Sequence, residues 1–203
     1  MQQALNNVTP EVNPQKENNA FKIGIIYNGF NADDIAFYKA DLIEISKTYG
    51  ADKLRIIVFG YVPEQDKTDM LGGLEFEYLP PVSEIHWIKQ LELANIDLLF
   101  VPLINDVFNE TTETDAKYLE ASVLNIPLLA PEISVYQNLI TDQYNGFLYP
   151  TDNFKGFLSA LLQSDLNALK HCGRVAYERV KQNHTFTPNN IQILEMSLKT
   201  ADE

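Results

Sequence analysis

Residues 117–150, KYLEASVLNIPLLAPEISVYQNLITDQYNGFLYP, contain in order an amphipathic stretch, a short apolar run, a second amphipathic stretch and a glycine turn. Short apolar runs that alternate with longer amphipathic stretches are typical of a parallel sheet covered by helices on both faces. The same alternation begins at Phe21 and continues along the chain. It predicts an α/β fold built on a Rossmann-like, doubly wound, six-stranded parallel sheet.

The alternation also predicts where the elements lie. The expected strands are 22–27, 54–59, 74–78, 96–101, 127–130 and 147–149. The expected helices are 33–48, 83–94, 114–124, 133–140, 152–163, 166–183 and 187–199. Ligands of open parallel sheets bind beyond the carboxyl ends of the strands. We therefore expect a site among the loops 28–33, 103–114 and 131–134.

Length and composition indicate one globular domain. A chain of 203 residues with 45% hydrophobic residues can bury one substantial core. Residues 1–20 contain five Asn, three Gln and two Pro with little apolar periodicity. Such a segment buries too little surface to offset its ordering entropy. We predict a disordered leader or interdomain linker over 1–20 and a Rossmann-like nucleotide-sugar-binding domain over 21–203.

Charge and cysteine content exclude several classes of function. A net charge of -13 argues against nucleic acid and against a basic membrane-docking surface. The single cysteine, Cys172, excludes an internal disulfide and suits a reducing compartment. No apolar run approaches the roughly 18 residues of a transmembrane segment, and the N-terminus lacks the features of a signal peptide. These features predict a cytoplasmic protein.

Lys117 and Glu120 are the side chains in the opening stretch that best suit a ligand. Residues three apart share one face of a helix, so the ammonium and the carboxylate can converge on one molecule. The cation would offset a diphosphate charge, and the carboxylate would accept hydrogen bonds from both ribose hydroxyls. A nucleoside diphosphate supplies both groups. The structural alternative is an exposed ion pair of Lys117 with Glu120, or with Glu113 one turn earlier.

A family resemblance extends from about Lys22 to about Phe186. It rests on two segments, 23–42 (IGIIYNGFNADDIAFYKADL) and 101–150 (VPLINDVFNETTETDAKYLEASVLNIPLLAPEISVYQNLITDQYNGFLYP). The chain resembles the C-terminal, donor-binding half of a GT-B glycosyltransferase of the group 1 type. In that family a lysine and a glutamate face the diphosphate and the ribose of the nucleotide. The resemblance assigns these roles to Lys117 and Glu120.

The resemblance implies a function and a set of partners. The chain would be one half of a GT-B fold, binding a nucleotide-diphosphate sugar as donor for polysaccharide or glycan assembly. The acceptor, a glycan or a lipid-linked glycan, would lie on the half missing from this chain, which is an N-terminal GT-B domain or a partner chain. GT-B enzymes of this type generally need no bound metal, and no other cofactor is expected. No catalytic residue is assigned.

Departures from the family pattern support an alternative function. Thr112 stands where the family often has a glutamate that meets the donor sugar, and Glu113 is one position away. Glu113 and Thr114 occupy the neighbourhood of a common basic residue, and the loop NGFNADD after the first strand lacks positive charge. The alternative is a non-catalytic GT-B-like scaffold or docking domain of a larger glycosyltransferase.

Four further residues are candidate binding residues, each with a structural alternative. Gly29, after Asn28, allows close approach of the backbone to a ligand or forms a simple turn. Asn109 could contact the donor sugar and Thr114 the phosphate, or each could cap a loop. Tyr136, which matches a family phrase, could line the base or sugar pocket or pack in the core.

Other chemistry has little support in the sequence. His86, His171 and His184 lack the paired spacing of a zinc site. Neither GxGxxG nor GxxxxGK[ST] follows the first strand. A flavodoxin-like or periplasmic-binding-like ligand module is a third hypothesis without a specific motif.

Overall fold

The computed structural model describes residues 20–27, 31–65 and 71–183. Six strands form one sheet in which every pair of neighbours is parallel. They are β1 (Phe21–Tyr27), β2 (Leu54–Gly60), β3 (Glu77–Leu79), β4 (Leu98–Phe100), β5 (Leu128–Pro131) and β6 (Phe147–Tyr149). Their order across the sheet is β3-β2-β1-β4-β5-β6. The predicted six-stranded, Rossmann-like parallel sheet is therefore confirmed.

Helices cover both faces of this sheet. In the described part of the chain they are α1 (Ala32–Tyr49), α2 (Glu84–Ala94), α3 (Val107–Thr112), α4 (Ala116–Val123), α5 (Ser134–Leu139), α6 (Phe154–Leu162) and α7 (Leu166–Asn183). The predicted leader 1–20, apart from Ala20, and the predicted helix 187–199 lie outside the described residues. No described helix combines the length and the apolar character that a membrane crossing requires.

The strands divide their side chains between two cores because successive residues of a strand point to opposite faces. On β4, Leu98 and Phe100 join the first core, whereas Leu99 joins the second. The first core lies under α1 and α6, and Cys172 of α7 also belongs to it. The second core holds side chains of α4, α5 and α7. Both faces are thus buried, which explains the continuously apolar strands.

The strand order reverses at β1, which pairs with β2 on one side and with β4 on the other. The carboxyl ends of β1 and β4 therefore lie side by side at one edge of the sheet. Helix α1 follows β1 in the chain, and α3 follows β4. The position between β1 and β4 is the topological switch of the sheet.

Several predicted boundaries were wrong. The fourth strand, expected at 96–101, spans only Leu98–Phe100, and the helix expected at 152–163 spans Phe154–Leu162. The third strand, expected at 74–78, pairs only over β3, and Leu74 is instead buried in the first core ahead of it. The expected loop 103–114 contains α3, because the Asp106 side chain accepts a 2.8 Å hydrogen bond from the Asn109 amide and caps a short helix. The helix expected from Thr114 starts at Ala116.

Candidate functional site

A cavity of about 180 Å³ opens at the carboxyl edge, beside the point where β1 and β4 lie next to each other. Its wall combines the start of α1, the loop after β4 and helices α3 and α4. The described residues that line it are Asn31, Asp34, Leu103, Phe108, Asn109, Thr112, Glu113 and Lys117. The cavity therefore lies at the topological switch, between two of the loops in which the sequence predicts a site.

A larger depression of about 600 Å³ runs along α2 beside the edge strand β3. Its lining includes Lys22, Arg55 and Glu77, which stand near the amino ends of the first three strands. It is therefore not at the edge where parallel sheets bind ligands. The smaller cavity at the switch point is the candidate site.

Asp34, in the first turn of α1, joins that helix to the segment after β4 at the cavity. Its Oδ1 atom accepts hydrogen bonds from the Ile104 amide at 2.8 Å and from Asn109 Nδ2 at 3.0 Å. Asn109 Nδ2 also donates to the Ile104 carbonyl at 2.9 Å. Burial raises the pKa of the Asp34 carboxyl, and the two hydrogen bonds oppose that rise. Asn109 lines the predicted site, but its amide is already bound within the protein.

Glu113 and Lys117 form an ion pair in the cavity wall. Lys117 Nζ donates to Glu113 Oε1 at 2.6 Å, and the two side chains are 15% and 10% exposed, respectively. The same oxygen accepts a 2.8 Å hydrogen bond from the hydroxyl of Tyr136, which is fully buried on α5. Burial and the neighbouring Glu113 charge raise the pKa of Tyr136, so its hydroxyl stays protonated as a donor.

Glu120 lies one turn beyond Lys117 and faces α2. Its carboxylate accepts a hydrogen bond from the Trp87 side chain. Burial raises the pKa of Glu120, whereas this hydrogen bond and the Lys117 charge lower it. Trp87 packs edge-on against Phe59 with ring centroids 5.6 Å apart, which fixes the indole on the second core. Glu120 is thus half-buried beside the cavity and is not part of its described wall.

Five of the six predicted site residues are described by the structure, and these five fall into three groups. Lys117 and Asn109 line the cavity. Glu120 and Tyr136 stand behind its wall. The Lys117 charge lowers the pKa of Glu120, and the Tyr136 hydroxyl donates a hydrogen bond to Glu113. Thr114 is exposed, and its hydroxyl accepts a 3.4 Å hydrogen bond from the Ala116 amide near the start of α4. Gly29 lies outside the described residues.

Sequence reasoning missed Asp34 and underrated Glu113 as site residues. Asp34 lies in the NADD segment after the first strand. The acidic residues of this segment indicate a candidate loop, but they do not show which of the two aspartates lines the site. Glu113 was visible through its i, i+4 spacing to Lys117, which predicted the ion pair as a structural alternative. Its bond to Tyr136 joins residues 23 positions apart, which no local pattern contains.

The described residues do not form a metal-binding site that can be recognised from their side chains. They hold no group of three or more His, Cys, Asp or Glu side chains arranged to bind a metal ion. The carboxylates near the cavity instead receive hydrogen bonds from backbone amides, as Asp106 does from Asn109 and Glu110 from the Ser134 amide at 3.0 Å. A function without metal stays a prediction.

The strand order and the position of the cavity define a Rossmann-like α/β domain with a small cavity at its topological switch. The sequence matches no protein-family model and no curated protein. Solved structures give the more specific comparison. The chain has the fold of the C-terminal domain of group 1 glycosyltransferases and is similar to other GT-B glycosyltransferases over most of its length.

Three similar structures illustrate the likeness. The C-terminal domain of the group 1 glycosyl transferase LpcC from Francisella tularensis is 16% identical, with a TM-score of 0.59 over 82% of this chain and 87% of that one. Anabaena HepE in complex with UDP-glucose is 18% identical, with a TM-score of 0.62 over 89% of this chain. TarM of S. aureus is 15% identical, with a TM-score of 0.63 over 92% of this chain.

The share of the other chain that is covered differs among these structures. This chain spans 49% of HepE and 36% of TarM. It spans 87% of the LpcC structure, which is itself a C-terminal domain. The likeness therefore covers about half of HepE, about a third of TarM and most of the LpcC C-terminal domain.

Proposed function

We propose that this chain is the donor-binding half of a glycosyltransferase that assembles a polysaccharide or another glycan. The observation that carries the proposal is the position of Lys117, whose ammonium lies in the wall of the cavity at the switch between β1 and β4. An ammonium at this place offers a charge-assisted hydrogen bond to a diphosphate. Binding of UDP-glucose by the structurally similar HepE is consistent with such a ligand.

Glu120 supplies the second contact in this proposal. It stands one turn from Lys117 on α4, so a diphosphate at Lys117 brings the attached ribose toward the Glu120 carboxylate. The carboxylate then exchanges its hydrogen bond from Trp87 for bonds from the ribose hydroxyls. The Trp87 indole is thus the group that holds Glu120 in place before the ligand arrives.

The cavity accommodates only part of a nucleotide sugar. Its volume of about 180 Å³ is below the ~300–1,000 Å³ of ordinary small-molecule sites. The remainder of the donor would lie across the open edge and be covered by a second domain or chain, which would also hold a glycan or lipid-linked acceptor. Transfer would then depend on alignment of the two substrates and on stabilisation of the departing diphosphate.

Isothermal titration calorimetry with UDP, GDP and UDP-glucose tests the proposal. We expect binding of at least one ligand at millimolar concentration or below, and a Kd at least about tenfold higher after Lys117→Ala because a charge-assisted contact is lost. Lys170→Ala on the exposed side of α7 is the matched control and should leave the Kd unchanged. Failure of all three ligands to bind at millimolar concentration would reject the proposal.

A second candidate function is a non-catalytic domain that serves as a scaffold or docking module within a larger glycosyltransferase. The charge of the cavity favours it, because Asp34 and Glu113 outnumber Lys117 among the described lining residues. Turnover by the complete protein distinguishes the two candidates. If Lys117→Ala lowers turnover the domain binds the donor, and if turnover is unchanged the scaffold function stands.

A further inference from the structure

The Glu113 carboxylate is a largely buried anion that accepts hydrogen bonds from two side chains. Its Oε1 atom accepts hydrogen bonds from Lys117 Nζ at 2.6 Å and from the Tyr136 hydroxyl at 2.8 Å. Tyr136 is fully buried, and the Glu113 side chain is only 10% exposed. Hydrogen bonds to an ionised group are short and strong, so this carboxylate has a defined position. It is fixed beside the ammonium that a ligand phosphate would approach.

Lys117 is the only basic side chain among the described residues that line the cavity. Two carboxylates, Asp34 and Glu113, share the same wall. The charged side chains of the described wall therefore sum to a negative value when all three are ionised. An incoming diphosphate meets repulsion from these carboxylates, and the electrostatic attraction of Lys117 is already satisfied by Glu113.

We propose that Glu113 is an internal competitor of the ligand: it occupies the Lys117 ammonium in place of a phosphate and thereby sets the affinity of the site for nucleoside diphosphates. This inference rests on the proposed function. It assigns Glu113 as a specificity-determining residue, because its negative charge disfavours a phosphate group more strongly the more negative charge that group carries. A purely positioning role for Glu113 predicts the opposite effect of its removal, since Lys117 would then lose its orientation.

Titration of the full chain with UDP, followed by calorimetry, separates the two roles. Glu113→Gln removes the charge and keeps an oxygen that can accept from Tyr136. Competition predicts that its Kd for UDP falls at least about tenfold relative to wild type. Glu132→Gln, at an exposed position after β5, is the matched control for a change of net charge and should shift the Kd less than about twofold. An unchanged or higher Kd in Glu113→Gln overturns the inference.

Two further variants keep the inference testable if Glu113→Gln does not fold or if its effect has another cause. Tyr136→Phe removes one of the two hydrogen bonds that hold Glu113. Competition therefore predicts that its Kd for UDP falls, but by less than in Glu113→Gln. This fall can be measured even if Glu113→Gln does not fold. In the double variant Glu113→Gln/Lys117→Ala the gain should disappear, because the two residues compete through one ammonium. A gain that persists without Lys117 contradicts the inference. If none of UDP, GDP and UDP-glucose binds to wild type or to any variant, the proposed function is rejected and this inference with it.

Discussion

Asp34 and Asn109, 75 residues apart in the chain, are joined by a 3.0 Å hydrogen bond at the base of the cavity. The bond ties the start of α1 to the helix that follows β4, across the place where the strand order reverses. Both side chains are buried, at 7% and 5% exposure. The shape of the candidate site therefore depends on a hydrogen bond within the protein that is present without any ligand.

Asn109→Ala should destabilise the protein. The substitution removes the hydrogen bonds of Asn109 to Asp34 and to the Ile104 carbonyl and leaves two buried acceptors with fewer partners. We expect the free energy of unfolding to fall by about 1–3 kcal/mol. Urea denaturation followed by circular dichroism measures the loss. Asn138→Ala, at an exposed position of α5, is the control and should change stability by less than about 0.5 kcal/mol. Equal effects of the two substitutions would contradict the assignment.

Asp34→Asn should change how stability depends on pH. Burial raises the pKa of the folded Asp34 carboxyl above its ordinary value of 3.8, so the folded state binds this proton more tightly than the unfolded state. The stability contributed in this way is fully present below 3.8 and is lost as the pH rises through the raised pKa. Asparagine keeps an oxygen that can accept both hydrogen bonds, and it carries no charge.

The test compares the free energies of unfolding of wild type and Asp34→Asn from acid to neutral pH. We expect the variant to gain stability relative to wild type as the pH rises. Asp33→Asn, at the neighbouring exposed position, is the control. A stability difference that stays constant with pH, or that runs the other way, would show that burial does not raise the pKa of the Asp34 carboxyl.

Protonation of Glu120 should be visible in tryptophan fluorescence. Trp87 is the only tryptophan of the chain, and its side chain hydrogen-bonds to the Glu120 carboxylate. Burial raises the pKa of Glu120, so the emission should titrate with a midpoint above the ordinary value of 4.5. Glu120→Gln should abolish this transition, and Glu178→Gln on the exposed side of α7 should leave it intact. A midpoint at or below 4.5, or its survival in Glu120→Gln, would refute the contact.

Gly173→Ala should be strongly destabilising although it places a better helix former in α7. A Cβ atom at this position would lie 2.0 Å from the Asn125 carbonyl oxygen, which is backbone and cannot rotate away. We expect a loss of about 1–3 kcal/mol from overpacking between α4 and α7. Thermal unfolding measures it.

Gly156→Ala is the matched control for this substitution. Its Cβ would meet the side-chain oxygen of Asn153 at 2.5 Å, and that exposed side chain can move. Alanine is favoured over glycine in a helix by about 1 kcal/mol, so this variant should be neutral or more stable than wild type. Similar losses in both variants would show that the Gly173 contact with Asn125 is not the cause.

The predicted strand and helix positions are close to those of the structure where they rest on a local sequence pattern. Strand 147–149 and helix 166–183 have the predicted bounds. β1 and β2 differ from their predicted bounds by one residue at one end, and α1 differs by one residue at each end. Apolar periodicity belongs to neighbouring residues, so it can be recognised before the chain folds. The misplaced third strand shows the limit, because an apolar Leu74 packs in the core whether or not its backbone pairs with a neighbouring strand.

The sequence by itself determined the parallel sheet, most of its strand bounds and the placement of Lys117 and Glu120 one turn apart on one helix. Only the tertiary structure decided that Lys117 pairs with Glu113, that Glu120 faces Trp87, and that Asp34 meets Asn109. By helical spacing alone, Lys117 could pair with either Glu113 or Glu120. The hydroxyl of Tyr136, brought from a different helix, holds Glu113 at the ammonium. Helical periodicity is set by adjacent residues, whereas the partner of a buried charge is set by whatever the packed fold brings beside it.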